Sequence, residues 1–210
     1  MEMVEGTRRC QICDAPVAKG ETCRNPVCSW DDRGFGCVWA IAYKTAALEK
    51  AIWELKYDNV RGWARIFGRV LVGYLDAHAD RFEDVDLIVP SPGFGDRRHT
   101  GLVLQAAAIE AAKGGPVWPF DVESPPAIMK TKATESFASK RWRQRYEIAT
   151  SELREALFVP DPARVRGKNV LVFDDVFTEG LTINEVGRAL LSAGASTVDE
   201  VVLARQKFRG

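Results

Sequence analysis

The chain has 210 residues, 46% of them hydrophobic and 28% charged, with Lys plus Arg and Asp plus Glu each numbering 29. That material suits one ordinary globular domain with a small appendage. A formal net charge of zero removes any global electrostatic case for nucleic acid or a membrane surface, so an anion site has to be built locally, and no apolar run approaches the ~20 residues that span a bilayer.

In chain order, residues 1–9 are polar and lack the apolar stretch of a signal peptide, so the expected location is the cytoplasm. All five cysteines, Cys10, Cys13, Cys23, Cys28 and Cys37, fall near the start. That bias points to a local device rather than to disulfides spread through a secreted fold. Cys10-Gln11-Ile12-Cys13 offers two thiolates from one tight turn, and Cys23 and Cys28, with four residues between them, close a tetrahedron from a second. Four soft thiolates suit a structural zinc ion with no open position for chemistry. Cys37 is the alternative to Cys28 as fourth ligand, or else a small buried hydrophobe near a domain junction. The competing readings are disulfides or plain burial. The expected division is a cysteine-rich zinc-binding module at residues 1–40 and a second domain at 41–210.

Beyond the cysteines, helices and strands alternate. Leu48, Ala51, Ile52 and Leu55 recur at helical spacing, as do Trp63, Ile66, Phe67, Val70, Leu71 and Tyr74. Residues 86–90 (DLIVP) form a short apolar run stopped by Pro90, Pro92 and Gly93, as a buried strand would be. Residues 102–112 predict an Ala-rich helix, and residues 117–120 and 127–129 are weaker strand candidates. The strongest strand is 169–173 (NVLVF), followed by a helix over about 182–193 with Gly194 as its C-cap, and by a last strand over 198–204. The pattern predicts an α/β fold, a parallel sheet with helices on both faces.

The chemistry concentrates just after NVLVF. Asp174 and Asp175 precede Val176, Phe177, Thr178, Glu179, Gly180, Leu181 and Thr182, and a helix follows. Ligands of open parallel sheets bind beyond the carboxyl ends of the strands. A loop entering a helix there presents free backbone N–H groups to an anion. Gly180 permits close approach of the backbone, and Thr178 and Thr182 add hydroxyl donors. The paired carboxylates repel phosphate but suit sugar hydroxyls or a magnesium ion bridging sugar and pyrophosphate. Together these features describe a site for a ribose carrying a 5-phosphate. A receiver-like fold also ends a strand in Asp-Asp, but on its first strand, whereas this pair lies late in the chain.

At residues 174–182 the sequence resembles the type I phosphoribosyltransferases, whose signature is a hydrophobic strand, two acidic residues and a short Thr/Gly loop. The whole chain is similar to the ComF family, amidophosphoribosyltransferase-like proteins associated with competence that join a four-cysteine zinc motif to such a domain. Shared features are Ile52-Trp53-Glu54-Leu55-Lys56-Tyr57, Val89-Pro90-Ser91-Pro92, the turn at 97–101, and Gly194-Ala195. The resemblance implies a type I phosphoribosyltransferase fold, a Rossmann-like parallel sheet, over residues 41–210. It implies that Asp174 and Asp175 contact the ribose 2- and 3-hydroxyls and act in catalysis. It further implies that residues 178–182 cradle the 5-phosphate of phosphoribosyl pyrophosphate, within a ribose- and phosphate-binding stretch of residues 174–182. The implied reaction is displacement at the anomeric carbon: a nitrogen nucleophile enters and pyrophosphate leaves, with its charge neutralised by magnesium.

For the pyrophosphate the resemblance places a loop at Ser91, Pro92 and Gly93, with Arg97 and Arg98 as charged partners. A mobile basic segment including Lys130, Lys132 and Arg145 is a second source. A basic helix start or a solvated basic helix explains the same residues without a ligand, and His99 alone carries little weight. Glu179 stands where such loops usually have a second Thr. A carboxylate facing the ligand unpaired would cost several kcal/mol, so Glu179 is expected to point to solvent, the alternative being an altered loop with weaker binding. Two other functions stay open, a sensor that binds phosphoribosyl pyrophosphate or a nucleotide without turnover, and a single-stranded nucleic-acid accessory protein. Nucleic acid is not favoured by the balanced charge, no membrane partner is expected, and self-association is left open.

Overall fold

The structure, a computed structural model, describes residues 7–95 and 98–206. The chain begins with an antiparallel hairpin of β1 (Thr7–Arg9) and β2 (Pro16–Ala18), followed by a 3-10 turn at Pro26–Ser29. β3 (Val38–Tyr43) leads into α1 (Ala46–Tyr57) and α2 (Gly62–Ala77). Thr45 caps α1 by accepting a hydrogen bond from the Leu48 N–H, satisfying one of the donors that a helix start leaves without an intrahelical partner. β4 (Leu87–Pro90) and α3 (His99–Ala111) come next, then the short β5 (Met129–Lys130). α4 (Trp142–Ile148) runs through a π turn at Ala149–Leu153 into α5 (Arg154–Ala156), and β6 (Leu157–Phe158) pairs back onto β5. The chain then forms β7 (Asn169–Phe177), α6 (Leu181–Ser192) and β8 (Thr197–Arg205).

The central sheet has the order β3-β8-β7-β4, with every pairing parallel. Val170, Leu171, Val172 and Phe173 are buried on both sides, which is why the centre of β7 reads as a continuous apolar run and not as an alternation. On one face Leu171 and Phe173 pack with Ile52, Leu71 and Leu104 from α1, α2 and α3. On the other, Val170 and Val172 pack with Ile183, Val186 and Leu190 of α6, together with Cys13, Val27 and Phe35 from the cysteine segment. The α/β architecture with helices on both faces is as the sequence predicts.

The cysteine segment is seated on α6. The Gly34 N–H donates to Asn184 Oδ1 at 2.9 Å, and a Cβ on Gly187 would lie 1.8 Å from the Gly34 carbonyl oxygen, so no side chain fits at that crossing. β3 runs across residue 40, where the sequence places the end of the cysteine module.

Three local expectations are corrected. β7 does not end at Phe173. It continues to Phe177, with Asp174 opposite Val202 and Phe177 opposite Arg205, so the acidic pair lies in the strand rather than in a loop. Residues 117–120 form no strand. Only Phe120 bridges to Ile88, Pro119 has no N–H to donate, and Val117 is 96% exposed. Of the candidate at 127–129, only Met129 belongs to a strand.

Candidate active site

Carrying β7 past Phe173 turns Asp175 into the first three-helix face of the sheet, where it is 4% exposed. Two groups meet its Oδ2: Lys56 Nζ from the last turn of α1 at 2.6 Å, and His99 Nε2 from the first turn of α3 at 2.5 Å. Burial alone would raise the Asp175 carboxyl, but the His99 hydrogen bond and the Lys56 charge outweigh it and hold the group down at about 2. Asp174 behaves in the opposite way. Burial and the neighbouring Asp175 charge push it up to about 6, against the pull of Lys56 and His99. Its Oδ1 accepts the Asp175 N–H at 2.9 Å. Glu200 of β8 is 2% exposed, and burial together with Asp174 and Asp175 raises its carboxyl well above the usual range. The two adjacent carboxyls are thus shifted in opposite directions, Asp175 down by its cationic partners and Asp174 up by burial and its neighbour.

Between β7 and α6 the chain turns through Thr178, Glu179 and Gly180. Gly180 has φ 87°, and a Cβ there would lie 3.0 Å from the Phe177 ring and 3.2 Å from Val27 Cγ1, so both conformation and space call for glycine. The first N–H groups of α6, twelve residues long, have no intrahelical acceptors and face this turn. Phe177 and Leu181 are buried, which leaves them only backbone to offer a ligand, whereas Thr178 and Thr182 are half-buried on the cleft wall. Glu179 departs from expectation. It is 8% exposed rather than solvent-directed, and its Oε1 lies 2.6 Å from Arg145 Nη2 of α4. The partner is 34 residues away in sequence, and this pairing is what lets a carboxylate be buried in the turn.

Two adjoining cavities, of about 370 and 620 Å³, open over the carboxyl edge of the sheet and share Asp174, Val176, Thr178 and Thr182. The smaller lies at the turn, beside Glu179, Gly180 and Arg145. The larger holds Asp175, Lys56, His99, Ser91, Pro92 and Gly93. Ser91 is fixed by its N–H donating to the Phe173 carbonyl (2.8 Å) and its own carbonyl accepting from the Thr100 hydroxyl (2.7 Å). Phe137 and Ala138, on the chain between β5 and α4, wall both cavities. Lys130 lines the larger cavity and reaches the Thr134 hydroxyl at 2.7 Å. Lys132 is drawn to Glu155 at 2.9 Å, and Arg98 is exposed at the start of α3. Arg97 lies outside the described residues.

The cysteines resolve as one cluster. The sulfurs of Cys10, Cys13, Cys23 and Cys28 all lie within 4.8 Å of one another, with separations of 3.9 Å (Cys10–Cys28), 3.6 Å (Cys13–Cys23) and 3.8 Å (Cys23–Cys28). A metal–sulfur bond of ~2.3 Å in a tetrahedron gives an edge of about 3.8 Å, so the four thiols fit one such ion. Cys37 stands apart, with its thiol directed at Asp199 Oδ1 at 3.3 Å and pushed up by burial and that carboxylate. Cys28, and not Cys37, is therefore the fourth member.

Sequence reasoning undervalued Lys56, His99 and Arg145. Lys56 and His99 sit at the end and start of separate helices, and only the sheet brings them to one oxygen. The usable signal was Lys56 within the Ile52-Trp53-Glu54-Leu55-Lys56-Tyr57 segment.

A parallel sheet whose central strand carries an acidic pair into a Thr/Gly turn and a helix start is that of a phosphoribosyltransferase-type domain, and residues 131–209 match the phosphoribosyl transferase domain family. Together with the four-cysteine cluster, this match fits a ComF-like phosphoribosyltransferase-type protein with a zinc motif. Over 81 residues it is 37% identical to the DNA utilization protein YhgH of Escherichia coli O157:H7, and 36% identical to the protein of that name from Shigella flexneri. These matches cover 38% of this chain and 32% of each relative, so the likeness spans about a third of the relatives' length. Among the described residues, no helix is long and apolar enough to cross a membrane.

Proposed function

We propose that the chain binds phosphoribosyl pyrophosphate with magnesium and transfers the ribose 5-phosphate to a nitrogen nucleophile, releasing pyrophosphate. One observation carries this reading: the half-buried Asp174 and buried Asp175 near the end of β7, leading into the Thr178–Gly180 turn and the start of α6. In it, ribose hydroxyls donate to the carboxylates of Asp174 and Asp175, and Lys56 and His99 keep Asp175 ionised and fixed in direction. The 5-phosphate takes the N–H groups at the start of α6 and the hydroxyls of Thr178 and Thr182. The pyrophosphate lies toward Ser91, Pro92 and Gly93, whose backbone and whose neighbour Lys130 suit an anion.

Asp174 fits magnesium, because a carboxyl raised to about 6 by burial and a like charge gains most from a nearby cation. When bound, magnesium would neutralise the departing pyrophosphate. The anomeric C–O bond breaks, a C–N bond forms, and the proton of the nitrogen passes to the departing pyrophosphate or to solvent. No side chain becomes a covalent nucleophile, and the protein supplies positioning and fixed charge. Phe137 and Ala138 cover the cleft and exclude water from the reacting carbon. Zinc is the ion assigned to the four thiols, as a structural group of an N-terminal module at residues 1–40 beside a domain at 41–210, in a cytoplasmic protein.

The test is magnesium-dependent pyrophosphate release with a panel of purine and pyrimidine bases and amines. Release stimulated by one acceptor supports transfer. Binding of phosphoribosyl pyrophosphate with no release under any acceptor reduces the function to sensing.

A second reading has its own observation. Trp142 stacks on Tyr146 at 5.4 Å, Tyr146 meets Trp30 edge-on at 5.7 Å, and the exposed Arg141 and Arg143 flank them. Aromatic faces beside arginines suit unpaired bases, and the relatives are named for DNA utilization. Single-stranded oligonucleotide binding that weakens steeply with salt and is lost in Trp142→Ala would favour it.

A further inference from the structure

The smaller cavity presents an electrostatic problem to the phosphate assigned to it. Three carboxyl side chains line it, those of Asp174, Glu179 and Glu200, and among its described lining residues Arg145 is the one cation. A phosphate carries close to two negative charges near neutral pH, and the N–H dipoles at a helix start offset only part of that repulsion. A full positive charge at the wall of the cavity would offset the remainder. Arg145 occupies that position, one quarter exposed, but its Nη2 is taken by Glu179 Oε1 at 2.6 Å. Its Nε is buried without a partner, so the guanidinium holds donor capacity that Glu179 does not use. A guanidinium prefers a paired anion, and its fork accepts carboxylate and phosphate in the same geometry.

We propose that Arg145 is the cation for the 5-phosphate and Glu179 its resident counter-anion, so that an incoming phosphate binds by taking Arg145 over from Glu179. The proposal rests on the ribose 5-phosphate reading of the site. It gives Glu179 a role where a neutral threonine would otherwise stand. The carboxylate keeps Arg145 in place and satisfied while the cavity holds no phosphate, and it lowers affinity by competing once a phosphate arrives. The exchange applies to the charged group only, so a sugar without phosphate is indifferent to it.

The experiment is titration calorimetry of ribose 5-phosphate and of ribose against the whole chain and three variants, Glu179→Gln, Arg145→Gln and the double variant, each first checked for an unchanged melting profile. Glu179→Gln should tighten ribose 5-phosphate binding by about tenfold, and Arg145→Gln should weaken it by at least about tenfold. The double variant, which leaves no buried charge unpaired and so folds even if Arg145→Gln alone does not, should bind as weakly as Arg145→Gln. Ribose should bind all four forms alike. Unchanged affinity in the double variant, or weaker binding in Glu179→Gln, would overturn the exchange. Asp174→Asn with Asp175→Asn, run in the same series with phosphoribosyl pyrophosphate, separates the two levels. If that variant loses binding while the double variant does not, only the exchange fails. If the unaltered chain binds no ribose 5-phosphate, the site reading fails and takes the exchange with it.

Discussion

The Arg205 guanidinium donates from Nη2 to the Cys13 sulfur at 3.3 Å, while its Cζ lies 4.8 Å from the centre of the Phe177 ring. Arg205 is 1% exposed, and its Nε and Nη1 are without partners. A cation so buried needs an anion close by. Cys13 supplies one, its thiol lowered to about 5 by its hydrogen bond with Cys28 and by the Arg205 charge, against burial, which raises it. One side chain thus spans from the four-cysteine cluster to the residue beneath the Thr/Gly turn. Arg205→Met should therefore speed loss of zinc or cobalt to a chelator by about tenfold, the usual size of an outer-shell effect, while Arg205→Lys keeps most of the retention. Equal release rates in all three forms would show that Arg205 does not hold the cluster.

Metal content separates the fifth cysteine from the other four. Cys28→Ser should lose the ion and the sulfur-to-cobalt charge-transfer absorption of the cobalt-loaded protein. Cys37→Ser should keep one ion per chain with an unaltered spectrum, since its thiol faces Asp199. The same metal loss should lower the melting temperature, because Val27, which touches the turn at Gly180, packs in the same cluster as Cys13.

Gly180→Ala is expected to cost about 1–2 kcal/mol of stability, from a positive φ that an L side chain adopts poorly and from the contact with Phe177. Relaxing that contact moves the turn, so ribose 5-phosphate binding should weaken more than ribose binding. Chemical denaturation and calorimetry on the same sample measure both.

The acidic pair gives opposite pH dependences. Asp175 is held at about 2, below its usual 3.8, so its stabilisation is present above about pH 4 and is lost as pH falls toward 2. Asp174 is raised to about 6, so its neutral form favours the fold below pH 3.8 and that contribution disappears as pH rises through 6. A ligand that uses the Asp174 carboxylate should bind more tightly as pH rises to about 6, by about tenfold per unit for one proton, and level off above. The ligand's phosphate also titrates near 6, so Asp174→Asn is the reference. A slope as steep in Asp174→Asn as in the unaltered chain would show that Asp174 does not titrate with binding.

The parallel sheet was legible because β7 and β8 are apolar enough to declare themselves, and the acidic pair because Asp-Asp before Thr and Gly is rare outside such a site. The reach of β7 to Phe177 was not, since two aspartates read as the end of a strand until Lys56 and His99 are brought from α1 and α3 to pair one of them. β3 escaped notice for a similar reason. Its residues, VWAIAY, follow directly on Cys37 and are only partly buried, and pairing with β8 alone makes them a strand. The orientation of Glu179 was read wrongly because burial of a carboxylate is set by its partner, and Arg145 lies on a helix whose docking no local pattern announces. Cys28 was separated from Cys37 only by the fold, because spacing allows either.

The most direct measurement is titration calorimetry of phosphoribosyl pyrophosphate in millimolar magnesium, on the unaltered chain and on Asp174→Asn with Asp175→Asn. The expected result is saturable one-site binding that the double substitution abolishes, with the melting curve still cooperative. Absence of binding by the unaltered chain, or affinity undiminished in the substituted one, would contradict the assignment of this acidic pair to ribose.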